Sequence, residues 1–198
     1  MVKKNISIKT VNSEILFGFS WECEKPVGTV FIATGMEECA YRYDRFANFL
    51  CDNGYNVYCI DYYGQGENAL EESQLGIVPR SAFSKFVRIL NDLVKKYSIK
   101  DKPVIVFGHS MGSFIVQDFI QRYSKSATKA IIMGTNGANA KLAYSFGYQL
   151  ARFVCKCKGE ERKAKLLKSL AVGSYAKSVK HRETDCDWLS YNKENVKK

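Results

Sequence analysis

The sharpest chemical signal in the sequence is the pattern G-x-S-x-G, in which Ser110 lies between Gly108 and Gly112. Periodicity predicts a buried strand before it, over residues 103–107, and an amphipathic helix after it, over residues 111–123. The chain must then turn from strand to helix at the serine, which strains its backbone and exposes its hydroxyl. The first N–H groups of the helix favour negative charge at this point. The pattern therefore predicts that Ser110 is a nucleophile, with a chance Gly-Ser turn as the alternative.

A second loop, which begins Thr34-Gly35-Met36, follows the apolar strand predicted at 29–34. Parallel strands end at one edge of a sheet, so this loop is expected beside Ser110. In that position the backbone N–H groups of Met36 and Met111 would together hold the oxygen of a substrate carbonyl as it becomes negative. The sequence predicts this pair as an oxyanion hole. The alternative is an ordinary loop between a strand and a helix.

A third loop, at residues 61–66, follows the next predicted strand and contains two glycines. With Ala69 it formally matches G-x-G-x-x-A, a dinucleotide-binding fingerprint. Its glycines lead into a polar loop and not into a helix, so no cofactor is expected. Metal binding is not expected either, because the chain has only two histidines and a single residue separates Cys155 from Cys157.

The elements that would position these loops alternate between strands and helices. Two strands with alternating apolar and polar residues come first, which is typical of an antiparallel pair with one exposed face. The later strands are continuously apolar, and the short loops to the helices between them imply right-handed crossovers and a mostly parallel sheet. The predicted fold class is therefore α/β, led by an antiparallel pair, with strands at 6–8, 15–21, 29–34, 56–61, 103–107 and 130–133 and helices at 43–53, 83–97 and 111–123.

Charge and periodicity both change in the last third of the chain. Residues 141–198 carry 14 basic and 6 acidic side chains, most of the formal net charge of +10. We predict a core at 1–136, a helical cap inserted at 137–190 and a tail at 191–198. Aromatic and basic residues in the cap would suit peripheral contact with an anionic membrane, and an amphipathic helix with a solvated lysine face is the alternative. No recognition motif accompanies the basic patch, so nucleic acid is not expected as a partner.

The composition is that of a globular domain. The chain has 198 residues, of which 46% are hydrophobic and 25% charged, and these values exclude a disordered chain. No apolar run approaches the ~20 residues of a membrane-spanning helix, and no apolar segment follows the basic start, as a secretory signal would require. Seven irregularly spaced cysteines favour reduced thiols and a cytoplasmic location.

The three loops also carry longer motifs. They read T-G-M-E-E at residues 34–38 with R-Y at 42–43, D-Y-Y-G-Q-G at 61–66 and G-H-S-M-G-S at 108–113. In order and spacing these motifs resemble the monoacylglycerol lipase/lysophospholipase branch of the α/β-hydrolases, of the S33 serine aminopeptidase type. The segment 184–190 also resembles the one that closes the cap in that family. The resemblance implies an α/β-hydrolase fold with a helical cap and a serine hydrolase acting on carboxylic esters of lipids or small acyl compounds.

The sequence departs from the family's pattern at three places. The first motif begins Thr34-Gly35 where the family usually has His-Gly, and the second reads Gly64-Gln65-Gly66 where it usually has Gly-His-Gly. Both changes should leave the backbone donors intact. The family's catalytic Asp and His follow the cap, and the sequence contains no match for them. Of the two histidines present, His109 is expected to point away from the serine into the scaffold, and His181, expected in an exposed loop, is the candidate for a surrogate base.

Two hypotheses follow, because a serine hydroxyl without a base is a poor nucleophile. The first is a serine esterase of this family whose activating Asp and His lie outside this sequence. The second is a truncated, non-catalytic remnant that acts as an interaction module through an open sheet edge or the basic cap. The strand at 130–133 would be that edge, because the family extends its sheet by two more strands, and self-association is expected there. Only the first hypothesis predicts loss of turnover in Ser110→Ala.

Overall fold

The computed structural model of the chain describes residues 2–11, 13–135, 179–181, 183–184 and 187–197. The chain forms two compact units, Met1–Asn139 and Ala140–Lys198. The three motif loops all lie in the first unit. The predicted helical cap at 137–190 falls mostly on residues outside the described ones, so its helices stay a prediction.

A six-stranded sheet organises the first unit. Its strands are β1 (Val2–Lys9), β2 (Ile15–Glu22), β3 (Gly28–Ala33), β4 (Tyr55–Ile60), β5 (Val104–His109) and β6 (Lys129–Met133). They lie in the order β1-β2-β4-β3-β5-β6. The β1–β2 and β2–β4 pairs are antiparallel, and β4, β3, β5 and β6 run parallel to one another. The predicted α/β class, with a mostly parallel sheet led by an antiparallel pair, is confirmed.

Helices cover both faces of this sheet in the described part of the unit: α1 (Asp44–Asp52), α2 (Ala82–Tyr97) and α3 (Met111–Arg122). The strand β3 shows how the layers are built. Its residues Val30 and Ile32 pack with buried side chains of α1, whereas Phe31 packs with those of α2 and α3. Successive strand residues point to opposite faces, so a strand covered on both sides must be apolar throughout. All six residues of β3 are buried.

The last strand of the sheet differs sharply from β3 in exposure. All five residues of β6 are exposed. Its large apolar side chains Ile131, Ile132 and Met133 are 47%, 39% and 48% exposed. Among the described strands it pairs with β5 alone. It is therefore an edge strand of the described sheet.

The described part of the second unit is short. It contains a 3₁₀ turn at Asp187–Leu189 and a small helix at Lys193–Lys197. His181 is exposed and has a left-handed backbone with φ 58°. Of the helices that the structure describes, none combines the length and the hydropathy of a membrane span.

Candidate active site

Ser110 occupies the junction between β5 and α3 with a backbone conformation that serine rarely adopts. Its φ is 51° and its ψ is −115°, a strained combination for any residue with a side chain. Its N–H donates to the Met133 carbonyl at 3.0 Å. Its carbonyl accepts the Ser113 N–H at 3.0 Å and the Ser113 hydroxyl at 2.5 Å. These bonds hold the serine at the strand-to-helix turn that the sequence pattern predicts.

Two glycines allow the strand and the helix to approach closely enough for this turn. A Cβ on Gly108 would lie 2.2 Å from the Gly112 carbonyl oxygen. A Cβ on Gly112 would lie 2.0 Å from the Ala33 carbonyl oxygen. Both distances are far below van der Waals contact, and both clashes would be with backbone. The glycine spacing of the motif thus has a steric cause.

The loop after β3 lies directly against the serine. A Cβ on Gly35 would be only 3.3 Å from the Ser110 Cβ. One residue earlier, the Thr34 carbonyl oxygen lies 2.8 Å from the position that a Gly112 Cβ would take. The loop and the strand-to-helix turn are therefore packed backbone against backbone, at the edge where β3 and β5 end side by side.

The two predicted oxyanion donors lie in these adjoining segments. Met36 follows Gly35 in the loop and is 51% exposed. Met111 begins α3, where the first N–H groups have no partner inside the helix. Among the described residues, neither of these two N–H groups donates a backbone hydrogen bond. Both N–H groups thus belong to segments that pack against or follow the serine, and their role as oxyanion donors stays a prediction.

A carboxylate braces the loop that carries Met36. Glu38 accepts the Gly35 N–H at 2.7 Å and the Tyr43 hydroxyl at 2.6 Å. It also lies 3.1 Å from Nδ1 of His109, whose side chain is 31% exposed. Burial, and then the bond to Glu38, raise the pKa of Tyr43 well above its ordinary value, so the phenol remains a donor. His109 is half-buried and engaged with Glu38.

A second carboxylate ties this loop to the one after β4. Asp61 is fully buried and accepts the Ala40 N–H at 2.5 Å and the Glu67 N–H at 3.0 Å. Gly66, with φ +46°, packs so closely that a Cβ there would lie 2.2 Å from a carboxylate oxygen of Asp61. Burial raises the pKa of the Asp61 carboxyl, although the two N–H donors lower it. The two loops are therefore held together through their backbones.

The amide of Gln65 makes a further link between the same loops. Its Nε2 donates to the Gly35 carbonyl oxygen at 3.2 Å, and its Oε1 lies 3.5 Å from the Thr34 hydroxyl. Thr34 is fully buried and Gln65 is 8% exposed. These are the two positions at which the sequence lacks the histidines usual in the family it resembles.

Among the described residues of the first unit, no side chain is bonded to the serine as a base. The Ser110 hydroxyl makes no hydrogen bond there, and Nδ1 of His109 is held by Glu38. His181 belongs to the second unit and is exposed. The structure thus places Ser110 against the loop of Met36 and directly before Met111, and it engages His109 with Glu38.

Glu38, Asp61 and Gln65 are site residues whose roles the sequence alone did not indicate. Each lies in a motif, but as a polar residue in a loop it has no periodicity to mark it. The available signals were an acid directly after a buried strand, for Asp61, and a polar residue between two glycines, for Gln65. Both patterns indicate a turn whose side chains face inward.

Comparison with known proteins adds to this geometry. A family model described as Serine aminopeptidase, S33 matches residues 24–198. Phospholipase YtpA of Bacillus subtilis (strain 168) is 23% identical over 117 residues, which cover 59% of this chain and 43% of that protein.

Solved structures show the same fold. A thermostable carboxyl esterase from Bacillus coagulans, in complex with glycerol, matches with a TM-score of 0.82 at 24% identity. The match covers all of this chain and 64% of the esterase chain. A monoglyceride lipase from Saccharomyces cerevisiae, in complex with a substrate analog, matches with a TM-score of 0.59 at 18% identity, over 79% of this chain and 52% of its own. The predicted α/β-hydrolase fold is confirmed. The chain spans less than two thirds of the length of each of these relatives.

Proposed function

The chain belongs to the serine aminopeptidase S33 family of α/β-hydrolases, which includes esterases and lipases, and we propose that it hydrolyses carboxylic esters with Ser110 as nucleophile. The observation that carries the proposal is the backbone of Ser110. A serine with φ 51° at a strand-to-helix junction is strained, and such strain persists where the surrounding structure maintains it for function. Gly35 packs against this serine, so the loop that follows β3 lies beside the proposed nucleophile.

In the proposed reaction the Ser110 hydroxyl oxygen attacks the ester carbonyl carbon. The carbonyl oxygen becomes negative and accepts hydrogen bonds from the N–H groups of Met36 and Met111. The alcohol then leaves and an acyl-serine remains, which water hydrolyses to the free acid. The fixed loops matter here, because donors held in place before the reaction need no reorganisation in the transition state.

Attack also requires a base that takes the hydroxyl proton and then gives it to the oxygen of the leaving alcohol. His109 is an unsuitable base, because its imidazole is engaged with Glu38 and makes no bond to the serine hydroxyl. The proposal therefore assigns proton removal to a histidine other than His109. His181 is the other histidine of this sequence.

The proposed substrates are glycerol-based lipid esters, such as monoacylglycerols and lysophospholipids. The relatives support this class by their names, a phospholipase and a monoglyceride lipase, and the carboxyl esterase was solved with glycerol. An exposed Met36 beside the nucleophile would leave room for an acyl chain to approach. Membrane contact through the predicted cap stays a prediction on residues outside the described ones.

The direct test is turnover on a panel of p-nitrophenyl esters, a monoacylglycerol, a lysophospholipid and an aminoacyl anilide. We expect ester cleavage that falls at least ~10⁴-fold in Ser110→Ala. Ser73→Ala, which changes an exposed loop serine, is the matched control and should leave the rate unchanged. Ester cleavage that survives in Ser110→Ala, or cleavage of the anilide alone, would contradict the proposal.

A second candidate is favoured by the exposure of β6. An edge strand with three exposed large apolar residues is a template for strand addition by another copy of the chain. If the chain is an interaction module, light scattering should show a concentration-dependent dimer. The double variant Ile131→Lys/Met133→Lys should then be monomeric. Val11→Lys, at an exposed position between β1 and β2, should still dimerise. A wild-type protein that is monomeric at all concentrations contradicts this candidate.

A further inference from the structure

We propose that Gln65 is a positioning residue of the oxyanion hole, which it aligns through the carbonyl of Gly35. The inference rests on the proposed function, because it concerns how the Met36 donor of that reaction is held. Its basis is one contact between two loops: Gln65 Nε2 donates to the Gly35 carbonyl oxygen at 3.2 Å.

Because of the geometry of the peptide bond, this contact also determines the direction of the Met36 N–H. The carbonyl of Gly35 and the N–H of Met36 belong to the same peptide group, which is planar and trans. The two therefore point in opposite directions, and fixing one fixes the other. A donor on the Gly35 oxygen thus holds the Met36 N–H pointing away from Gln65. On the preceding peptide, the Gly35 N–H is held by Glu38 at 2.7 Å.

The side-chain amide of Gln65 is held in position because the backbone of Gln65 is itself hydrogen-bonded on both sides. Its N–H donates to the Tyr62 carbonyl at 3.1 Å, and its carbonyl accepts the Asn68 N–H at 2.9 Å. The next residue, Gly66, is packed against the buried Asp61 carboxylate. Gln65 itself is 8% exposed, so little water competes for its amide.

The orientation of the amide follows from its two neighbours. A carbonyl oxygen only accepts, so the nitrogen of the Gln65 amide must face Gly35. The amide oxygen then faces the Thr34 hydroxyl, which can donate to it, at 3.5 Å. The two residues that depart from the usual family motifs are therefore neighbours. Together they replace titratable imidazoles by an amide and a hydroxyl, whose hydrogen bonding does not change between pH 5 and 9.

Four variants test the role of Gln65. Gln65→Leu removes the donor, and Gln65→Glu places a carboxylate against the Gly35 oxygen at almost the same size. Gln65→His keeps an N–H donor. Gln121→Glu repeats the amide-to-acid change on the exposed face of α3 and is the control. Thermal melting of each variant first establishes that it folds, and Gln65→His provides the comparison if Gln65→Glu does not.

The first readout does not depend on catalysis. Hydrogen exchange of the Gly35 amide reports how often the loop opens, because that N–H is hydrogen-bonded to Glu38. We expect exchange at least ~10-fold faster in Gln65→Leu and Gln65→Glu, and unchanged exchange in Gln65→His and Gln121→Glu. If the Gly35 amide exchanges at the same rate in all four variants, the proposal is overturned, whether or not Ser110 is reactive.

The second readout is the rate at which an alkyl fluorophosphonate modifies Ser110, because the phosphoryl oxygen of that reagent uses the oxyanion hole. We expect the bond-forming rate constant to fall ~10- to 100-fold in Gln65→Leu and Gln65→Glu, with the half-saturating concentration unchanged. Equal rates in wild type and Gln65→Leu would overturn the positioning role while the proposed function stands. If the wild type itself is not modified, the proposed function fails for this chain, and hydrogen exchange alone decides the role of Gln65.

Discussion

The two sides of Ser110 along the sheet are built very differently. On the side of β3 and β4, the loops at 34–43 and 61–68 are joined by the carboxylate of Asp61 and the amide of Gln65, and both side chains are buried. On the side of β6, every residue of the strand is exposed and its apolar side chains face water. The first side includes the loop that carries Met36, one of the two proposed oxyanion donors.

The difference teaches that stabilising charge and moving a proton are separable tasks in this fold. The proposed oxyanion donors, Met36 and Met111, would act through backbone N–H groups, which the packing of β3, β5 and α3 positions. A base must be a side chain in contact with the serine hydroxyl, and no described side chain of the first unit makes a hydrogen bond to it. The contrast between the two sides should appear as unequal losses of stability, large where backbone and side chains are closely packed and small at β6.

The largest effect is expected at Gly112. Gly112→Ala places a Cβ 2.0 Å from the Ala33 carbonyl oxygen, so the strand and helix must separate. Although alanine favours helices by ~1 kcal/mol over glycine, we expect a net loss of ~3 kcal/mol in the free energy of unfolding from overpacking. Urea denaturation measures it.

The matched control for that change is Gly76→Ala. Gly76 has φ +77° but nothing within 4 Å of a Cβ, so only backbone strain, ~1 kcal/mol, should be felt. Equal losses at the two glycines would show that close packing at the serine turn is not a special feature of that side.

An intermediate effect is expected at Asp61. Asp61→Asn turns an amide N–H₂ towards one of two backbone N–H groups, Ala40 or Glu67, and leaves that donor without an acceptor. We expect a loss of ~2 kcal/mol in the free energy of unfolding.

The pH dependence of that difference has a definite sign. Burial raises the pKa of the Asp61 carboxyl, so the folded protein binds the proton more tightly than the unfolded chain. The resulting stability is fully present below the unfolded pKa of about 3.9 and is lost as the pH rises through the folded value. The difference in the free energy of unfolding between wild type and Asp61→Asn, measured by denaturation, should therefore be larger at acidic than at neutral pH. A difference that grows towards neutral pH would mean that the two N–H donors lower the pKa of Asp61 by more than burial raises it.

The smallest effect is expected on β6. Ile132 is 39% exposed, so Ile132→Ala should change the free energy of unfolding by less than ~1 kcal/mol. The matched substitution Ile32→Ala, at a residue of β3 that is 1% exposed, should lose ~3 kcal/mol. If the two substitutions cost the same, β6 is covered in solution, and the contrast between the two sides disappears.

The elements of the fold were predictable because each leaves a local pattern. Continuous apolar residues marked β3, and the spacing of apolar residues along one face marked α2. The strained turn at Ser110 was predictable for the same reason, since strand, glycines and helix are contiguous in sequence.

The links between loops were not predictable from such patterns. Gln65 and Gly35 are 30 residues apart in sequence, a separation longer than any helix or strand that the structure describes. Their contact depends on β3 and β4 lying side by side in parallel, which brings the loops that follow them together. The contact of Glu38 with His109 likewise joins the loop after β3 to the end of β5. Only the assembled sheet reveals which polar loop residues face one another.

The central claim is that Ser110 is an activated nucleophile, and intact mass after incubation with a fluorophosphonate tests it most directly. The wild-type chain and Ser110→Ala would be compared, each shown to be folded by its melting curve. We predict a single adduct on the wild type and none on Ser110→Ala. A folded wild type that gains no adduct, or an adduct that persists in Ser110→Ala, would contradict the claim.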